Sequence, residues 1–156
     1  MTSGPIHLLR HAKAGHRSSW TGPDEERPLS PRGRRQVRAL IEAFEGIELA
    51  RIGTSPFVRC VETVAELAAA RGIALEVMPE LAEGHDLDEV WAFVRSLDER
   101  PTLLCGHGPE ISDVMRRVAE SGARVDGHGL AKGSVWVLER DGGRIVAGSY
   151  RPAPSG

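Results

Sequence analysis

Apolar residues along the chain alternate between short continuous runs and longer segments of helical spacing. The first run, Ile6 to Leu9, predicts a buried strand. The segment from Ser30 to Gly46 places its apolar side chains on one helical face, which predicts an amphipathic helix. The alternation then repeats, with strands predicted at 49–53, 74–78 and 102–105 and a helix after each one.

Capping residues bound the predicted helices. Ser30 is a suitable N-cap and Pro31 fits the first helical position, while Ser55-Pro56 opens the second helix. Asp86 with Glu89 has the spacing of a capping box, and Pro109 starts the fourth helix. The predicted stops are glycines at positions 46, 72 and 122.

Strands that alternate with helices predict a three-layer α/β/α fold with a mostly parallel sheet. Near the C-terminus, two β-rich runs flank Asp141-Gly142-Gly143, which predicts an antiparallel edge strand or hairpin. A length of 156 residues is typical of one domain. We therefore expect a single domain over 1–150 and a flexible tail over 151–156.

Composition narrows the classes of function. A formal net charge of −2 disfavours a protein that coats nucleic acid. Cys60 and Cys105 show no zinc-binding spacing and are too few for a disulfide framework, which favours a reducing compartment. There is no secretory leader pattern and no apolar run near the ~20 residues that cross a bilayer. The expectation is a cytoplasmic protein without a membrane or nucleic-acid partner; its oligomeric state cannot be read from these features.

Unusual side chains follow three of the predicted strands. Arg10 and His11 end the first strand, Arg59 lies in the first turn of the helix after the second, and His107-Gly108 follows the fourth. In open α/β sheets these strand ends form the ligand-binding edge. A helix N-terminus with free N–H groups, two guanidiniums and two imidazoles together suit a phosphoryl group.

Each of these residues alone has a simpler structural interpretation, as an ion-pair or hydrogen-bonded group. Only their coincidence at three strand ends favours a site. His7, inside the strand, and His16, in a loop, have no spacing typical of metal ligands and are expected to be structural. In the long loop 12–29, Lys13, Arg17 and Trp20 are candidates for contact with substrate, although a solvated loop with one packed tryptophan is the simpler explanation.

Three segments carry a family resemblance: "LLRHAKAG", "TSPFVRCVETV" and "LLCGHGPEI". In this order they resemble the signatures of the histidine phosphatase superfamily, with its phosphoglycerate mutase-like fold, and most of all the small SixA-type phosphohistidine phosphatases. The end "KGSVWVLERDGGRI" is also similar to histidine phosphatase domains that some bacteria fuse to a Nudix hydrolase. The resemblance implies that His11 is the phosphorylated nucleophile, Arg10 and Arg59 bind phosphate, and His107 is the second pocket histidine.

The resemblance also implies a general acid after the third strand, where "MPELAEGHD" offers Glu80, Glu83 and His85; we favour Glu83. Ala12 stands where glycine is commoner, and Arg17 where mutase-like members often have asparagine. These departures disfavour a substrate taken from the mutase branch. The remaining candidates for the substrate are a phosphohistidine protein, a nucleoside diphosphate or another phosphorylated small molecule.

The implied reaction is phosphoryl transfer to neutral His11 and hydrolysis of the phosphohistidine, with arginines and a protonated His107 in place of a metal or other cofactor. Cys60 and Cys105 begin no CxxxxxR loop, and there is no GxxxxGKS/T motif. The rival from another class is a phosphate-binding or sensor module without turnover. Such a module would retain the arginines but would not require both histidines.

Overall fold

A computed structural model describes residues 2–155. Within that range the chain forms one mixed sheet with helices on both of its faces. The strands are β1 (Thr2–Arg10), β2 (Arg51–Thr54), β3 (Leu75–Val77), β4 (Thr102–Gly106), β5 (Arg124–Asp126), β6 (Val135–Asp141) and β7 (Arg144–Arg151). The helices are α1 (Pro31–Ala43), α2 (Val58–Arg71), α3 (Leu87–Arg95) and α4 (Gly108–Glu120).

Ser30 and Asp86 are the N-caps that the sequence predicts, whereas α2 begins at Val58 rather than at Ser55-Pro56 and has Phe57 as its N-cap. Ser30 Oγ accepts a hydrogen bond from the Gly33 N–H at the start of α1 (3.1 Å), and Asp86 Oδ1 accepts one from the Glu89 N–H at the start of α3 (3.0 Å). Gly72 ends α2 with φ of 65°, a conformation that costs glycine little because it has no Cβ. Local sequence therefore decides where these helices begin and end.

The sheet order is β3-β2-β4-β1-β6-β7-β5. The pairs among β3, β2, β4 and β1 are parallel, and β6 runs antiparallel to both β1 and β7. The three-layer α/β fold and the hairpin are confirmed, but the hairpin does not form the edge. That edge is β5, a three-residue strand that pairs parallel to β7 and that the sequence did not predict.

Side-chain alternation along the strands divides the core into two layers. Leu8, Leu104 and Leu138 pack with α3 and α4, whereas their neighbours Leu9, Leu103 and Val137 pack with α1 and α2. Burial on both faces explains why β1 and β4 are continuous apolar runs. Because β1, β2 and β4 run parallel, their carboxyl ends meet at one rim of the sheet.

The predicted boundary of the tail falls within β7, which ends at Arg151. Ala153 and Pro154 after it are half-buried. Across residues 2–155, no helix combines the length and the apolar content that a bilayer crossing would need.

Candidate active site

β1 and β4 are paired in parallel and end together. Arg10 lies opposite Gly106, and the His11 N–H continues the pairing by donating to the Gly106 carbonyl (3.1 Å). His107 follows Gly106 directly and precedes α4. The sheet thus brings His11 and His107 side by side, with ring centroids 5.5 Å apart in an edge-on arrangement.

His11 is buried, with 6% of its surface exposed. Its Nδ1 lies 2.7 Å from the Ala12 carbonyl oxygen, which can only accept, so Nδ1 carries the ring proton and donates. Burial, together with the charges of Arg59 and Arg10, lowers the pKa of His11 to about 4. The imidazole is therefore neutral near pH 7, and its Nε2 presents a lone pair.

The Arg59 side chain is buried in the first turn of α2, and Arg10 is half-buried at the end of β1. Arg10 donates through a terminal nitrogen to the Leu130 carbonyl (2.6 Å), but neither its Nε nor that of Arg59 has an acceptor within residues 2–155. A Cβ at Gly108 would lie 3.1 Å from the Arg10 guanidinium carbon. Glycine at 108 thus leaves space for this close approach.

His107 is fully buried. Its Nε2 lies 2.9 Å from Ser55 Oγ, and no described residue hydrogen-bonds to its Nδ1. Burial, with the neighbouring His11 and the charge of Arg59, lowers the pKa of His107 to about 3. The ring is thus neutral at pH 7, which differs from the protonated form expected from the sequence, because the imidazole is desolvated among other cations.

Among the candidates for the general acid, the structure brings only Glu83 to the site. Its Oε1 lies 3.4 Å from Arg59 and its Oε2 lies 3.9 Å from His107 Nδ1. His85 instead contacts Glu89 on α3 (3.2 Å), and Glu80 makes no ion pair among the described residues. The loop that carries Glu83 is fixed by Glu110, whose buried carboxylate accepts from the Gly84 N–H (2.9 Å).

A second carboxylate, Asp24, stabilises the arginines. Its Oδ2 accepts from Arg59 (3.1 Å), its Oδ1 accepts from Arg27 (3.0 Å), and Arg17 lies 3.3 Å away. Burial raises the pKa of Asp24, but the Arg27 hydrogen bond and the Arg59 charge outweigh that effect and hold it below its usual value. Asp24 therefore remains an anion that orients two guanidiniums.

The site opens into a cavity of about 330 Å³. Its lining includes Glu83, Gly108, the nucleophile candidate His11 and six cationic side chains: Arg10, Lys13, Arg17, Arg27, Arg59 and Lys132. Trp20 does not line it; the indole N–H donates to the Pro23 carbonyl (2.8 Å) on the outer part of the loop. The strongly cationic lining suits an anion with more than one charge.

Sequence reasoning missed Ser55, Asp24, Arg27 and Lys132. Asp24 starts a short helical turn, Asp24–Glu26, and Arg27 directly follows it. A spacing of three residues between opposite charges is common on exposed surfaces, so it gives no distinctive signal. Lys132 reaches the cavity because Gly133, the next residue, donates its N–H to the Arg10 and His11 carbonyls. Only the tertiary structure places these side chains at the site.

The arrangement is suited to phosphoryl transfer. The bare Nε2 of the neutral His11 ring lies beside the buried, unpartnered Nε–H groups of Arg10 and Arg59 and the unpartnered Nδ1 of His107. Buried donors without acceptors are rare in folded proteins, and such groups stabilise an oxyanion when one binds. The same pocket holds a carboxyl group, Glu83, that can supply a proton to a leaving group.

Residues 6–120 match the histidine phosphatase superfamily, branch 1. The chain belongs to this superfamily. It is 31% identical over 155 residues, 96% of this chain, to an 8-oxo-(d)GTP phosphatase of Mycolicibacterium smegmatis. The match spans about half of that relative, 48% of its length.

Solved structures show the same fold. The protein histidine phosphatase SixA complexed with tungstate superposes with a TM-score of 0.74 at 22% identity, covering 97% of this chain and 96% of that one. A mycobacterial glucosyl-3-phosphoglycerate phosphatase complexed with VO3 gives a TM-score of 0.72 at 16% identity, covering 99% and 100%. The family and fold expected from the three sequence motifs are therefore confirmed.

Proposed function

We propose that this protein is a metal-independent phosphatase that forms a phosphohistidine on His11. The observation that carries the proposal is the bare Nε2 of a neutral, buried His11 beside the unpartnered Nε–H groups of Arg10 and Arg59 and the unpartnered Nδ1 of His107. In the first step Nε2 attacks phosphorus and the bond to the leaving group breaks. In the second step water attacks the phosphohistidine, which releases inorganic phosphate and restores His11.

Covalent trapping tests this function. Wild-type protein, quenched during turnover of p-nitrophenyl phosphate, should carry phosphate that is stable to base and labile to acid, and His11→Ala should carry none. His7→Phe, which changes a buried histidine on the same strand, is the matched control and should trap as wild type does. Absence of both trapped phosphate and turnover on every phosphorylated probe would contradict the proposal and favour a phosphate-binding module.

Glu83 is proposed as the general acid. A poor leaving group such as an alkoxide needs a proton, whereas a phosphohistidine nitrogen or a nucleoside phosphate with a second pKa of about 6 departs more readily. Glu83→Gln should therefore lose roughly 100-fold in turnover of an alkyl phosphate and much less on a phosphohistidine peptide. Equal large losses on both substrates would exclude this role.

The substrate we propose first is a phosphohistidine protein, in keeping with the likeness in fold to SixA. A nucleoside diphosphate is the second candidate, favoured by Lys13, Arg27 and Lys132, which add cationic groups to the cavity beyond Arg10 and Arg59. The name of the 31% identical relative, an 8-oxo-(d)GTP phosphatase, supports the same class.

Lys132→Ala distinguishes the two candidates. If the substrate has a second phosphate, this change should raise KM for a nucleoside diphosphate by roughly 10-fold and leave p-nitrophenyl phosphate almost unchanged. Arg116→Ala, which removes an exposed cation on α4, is the matched control for net charge and should behave as wild type. An unchanged KM for the diphosphate would favour the phosphohistidine protein.

A further inference from the structure

Ser55 lies between β2 and α2 and is fully buried. Its Oγ has two hydrogen-bonding neighbours within residues 2–155. The Phe57 N–H lies 3.2 Å away and His107 Nε2 lies 2.9 Å away.

Counting protons assigns the direction of these two bonds. The Phe57 amide can only donate, so Ser55 Oγ accepts from it. The hydroxyl has one proton of its own, and the described residues give it a single acceptor, His107 Nε2. If Nε2 carried the proton instead, the hydroxyl hydrogen of Ser55 would be buried without a partner, which is costly.

The opposite nitrogen of His107 faces Glu83. Its Nδ1 is 3.9 Å from Glu83 Oε2, and Glu83 lines the cavity. With Nε2 accepting from Ser55, a neutral ring carries its proton on Nδ1. In the other tautomer, Nδ1 would turn a lone pair towards the phosphoryl oxygens and repel them.

We propose that Ser55 is a positioning residue that holds His107 in its Nδ1–H tautomer, so that this ring donates to the phosphoryl group. This inference rests on the function proposed above for the cavity. Ser55 itself does not touch the substrate; it acts through the second pocket histidine, as outer partners do for other functional imidazoles.

Among residues 2–155, Cys60 is the one other side chain with a polar atom within hydrogen-bonding distance of Nε2. Its Sγ lies 3.5 Å from that nitrogen and 3.8 Å from the Gly106 carbonyl. A thiol is a weak donor and a weak acceptor, so Cys60 does not replace the hydroxyl when Ser55 is removed. In Ser55→Ala the tautomer preference should therefore weaken or reverse.

The test combines nitrogen-15 NMR of the histidine rings with kinetics. In wild type at pH 7, His107 should show a protonated Nδ1 and a bare Nε2, assigned by the loss of these signals in His107→Asn. In Ser55→Ala the proton should move at least partly to Nε2, and kcat on p-nitrophenyl phosphate should fall roughly 10- to 100-fold. Thr54→Val, which removes the neighbouring buried hydroxyl that contacts the Ser55 carbonyl, is the control and should leave both readouts as in wild type.

Three results would contradict this role of Ser55. A protonated Nε2 in wild type, an unchanged tautomer in Ser55→Ala, or a shifted tautomer with kcat within about threefold of wild type would each overturn it. If Ser55→Ala does not fold, the wild-type spectrum still determines the tautomer. The spectrum needs no turnover, so an inactive wild type would refute the proposed phosphatase function without obscuring this result.

Discussion

Two buried histidines on or just after β1 lie in contrasting surroundings. His7 and His11 are 4% and 6% exposed, and burial is the main cause that lowers the pKa of each to about 4. His7 packs edge-on against Phe44 and lines a cavity of about 590 Å³ with mostly apolar walls. His11 lines the smaller, cationic cavity of about 330 Å³.

The contrast shows that neither a lowered pKa nor a large cavity identifies a catalytic site by itself. Desolvation acts on any buried imidazole, whatever the purpose of its surroundings. What distinguishes His11 is the convergence of Arg10, Arg59 and His107, whose buried nitrogens lack hydrogen-bond partners within residues 2–155. The apolar cavity has no comparable set of donors among its lining residues.

The largest effect should separate the two histidines by activity. His11→Ala should lower turnover of p-nitrophenyl phosphate by at least about 10⁴-fold, because it removes the nucleophile. His7→Phe should change it by less than about threefold, since its ring contacts Phe44 rather than the cationic cavity. Steady-state kinetics of the two variants checks this, and a comparable loss in both would remove the distinction.

A smaller effect should separate two arginines that both contact carboxylates. Arg59→Lys should lower kcat/KM roughly 100-fold, because an ammonium cannot replace the planar guanidinium that reaches Asp24 and the phosphate pocket together. Arg51, which pairs with Glu76 through two bonds of 2.8 and 3.0 Å beside β3, is the matched control. Arg51→Lys should stay within about twofold of wild-type kcat/KM; an equal loss at both positions would show that Arg59 is only structural.

The remaining prediction concerns the free energy of unfolding as a function of pH. The pKa of His7 is about 4 in the folded state, against an ordinary value of 6.5, so the unfolded chain binds more protons between these limits. Stability should therefore fall as pH drops from about 6.5 to about 4, with a contribution from His7 of roughly 3 kcal/mol. Over the same pH range, the free energy of unfolding of His7→Phe should fall by roughly 3 kcal/mol less than that of wild type, as measured by chemical denaturation.

The exposed His128 provides the comparison for that measurement. His128→Gln should keep the wild-type pH dependence, since its side chain is exposed in the folded and the unfolded state alike. A pH dependence in His7→Phe that equals that of wild type would show that His7 is solvated in the folded protein.

Short-range features of the fold were predictable from the sequence. Ser30 and Asp86 cap helices through contacts three residues away, and the Gly142-Gly143 turn forms the hairpin through positive φ values of 59° and 87°. The edge strand β5 was not predictable, because Arg124–Asp126 has no apolar run and forms a strand only by pairing with β7.

Part of the site could likewise be predicted. Arg10, His11, Arg59 and His107 follow strand ends, and the topology of an α/β sheet brings such ends to one rim. The sequence favoured Glu83 over Glu80 and His85, but only the fold shows that the Glu83 side chain reaches the cavity while His85 pairs with Glu89.

The sequence by itself determined the alternation of strands and helices, the helix caps and the family motifs, because these depend on residues near one another along the chain. Only the tertiary structure decided that Asp24 orients Arg59, that Lys132 reaches the cavity and that Ser55 contacts His107. Those contacts join residues 35, 122 and 52 positions apart respectively, counting Lys132 from Arg10. Residues so far apart along the chain come together only when it folds, so no local pattern of residues predicts these contacts.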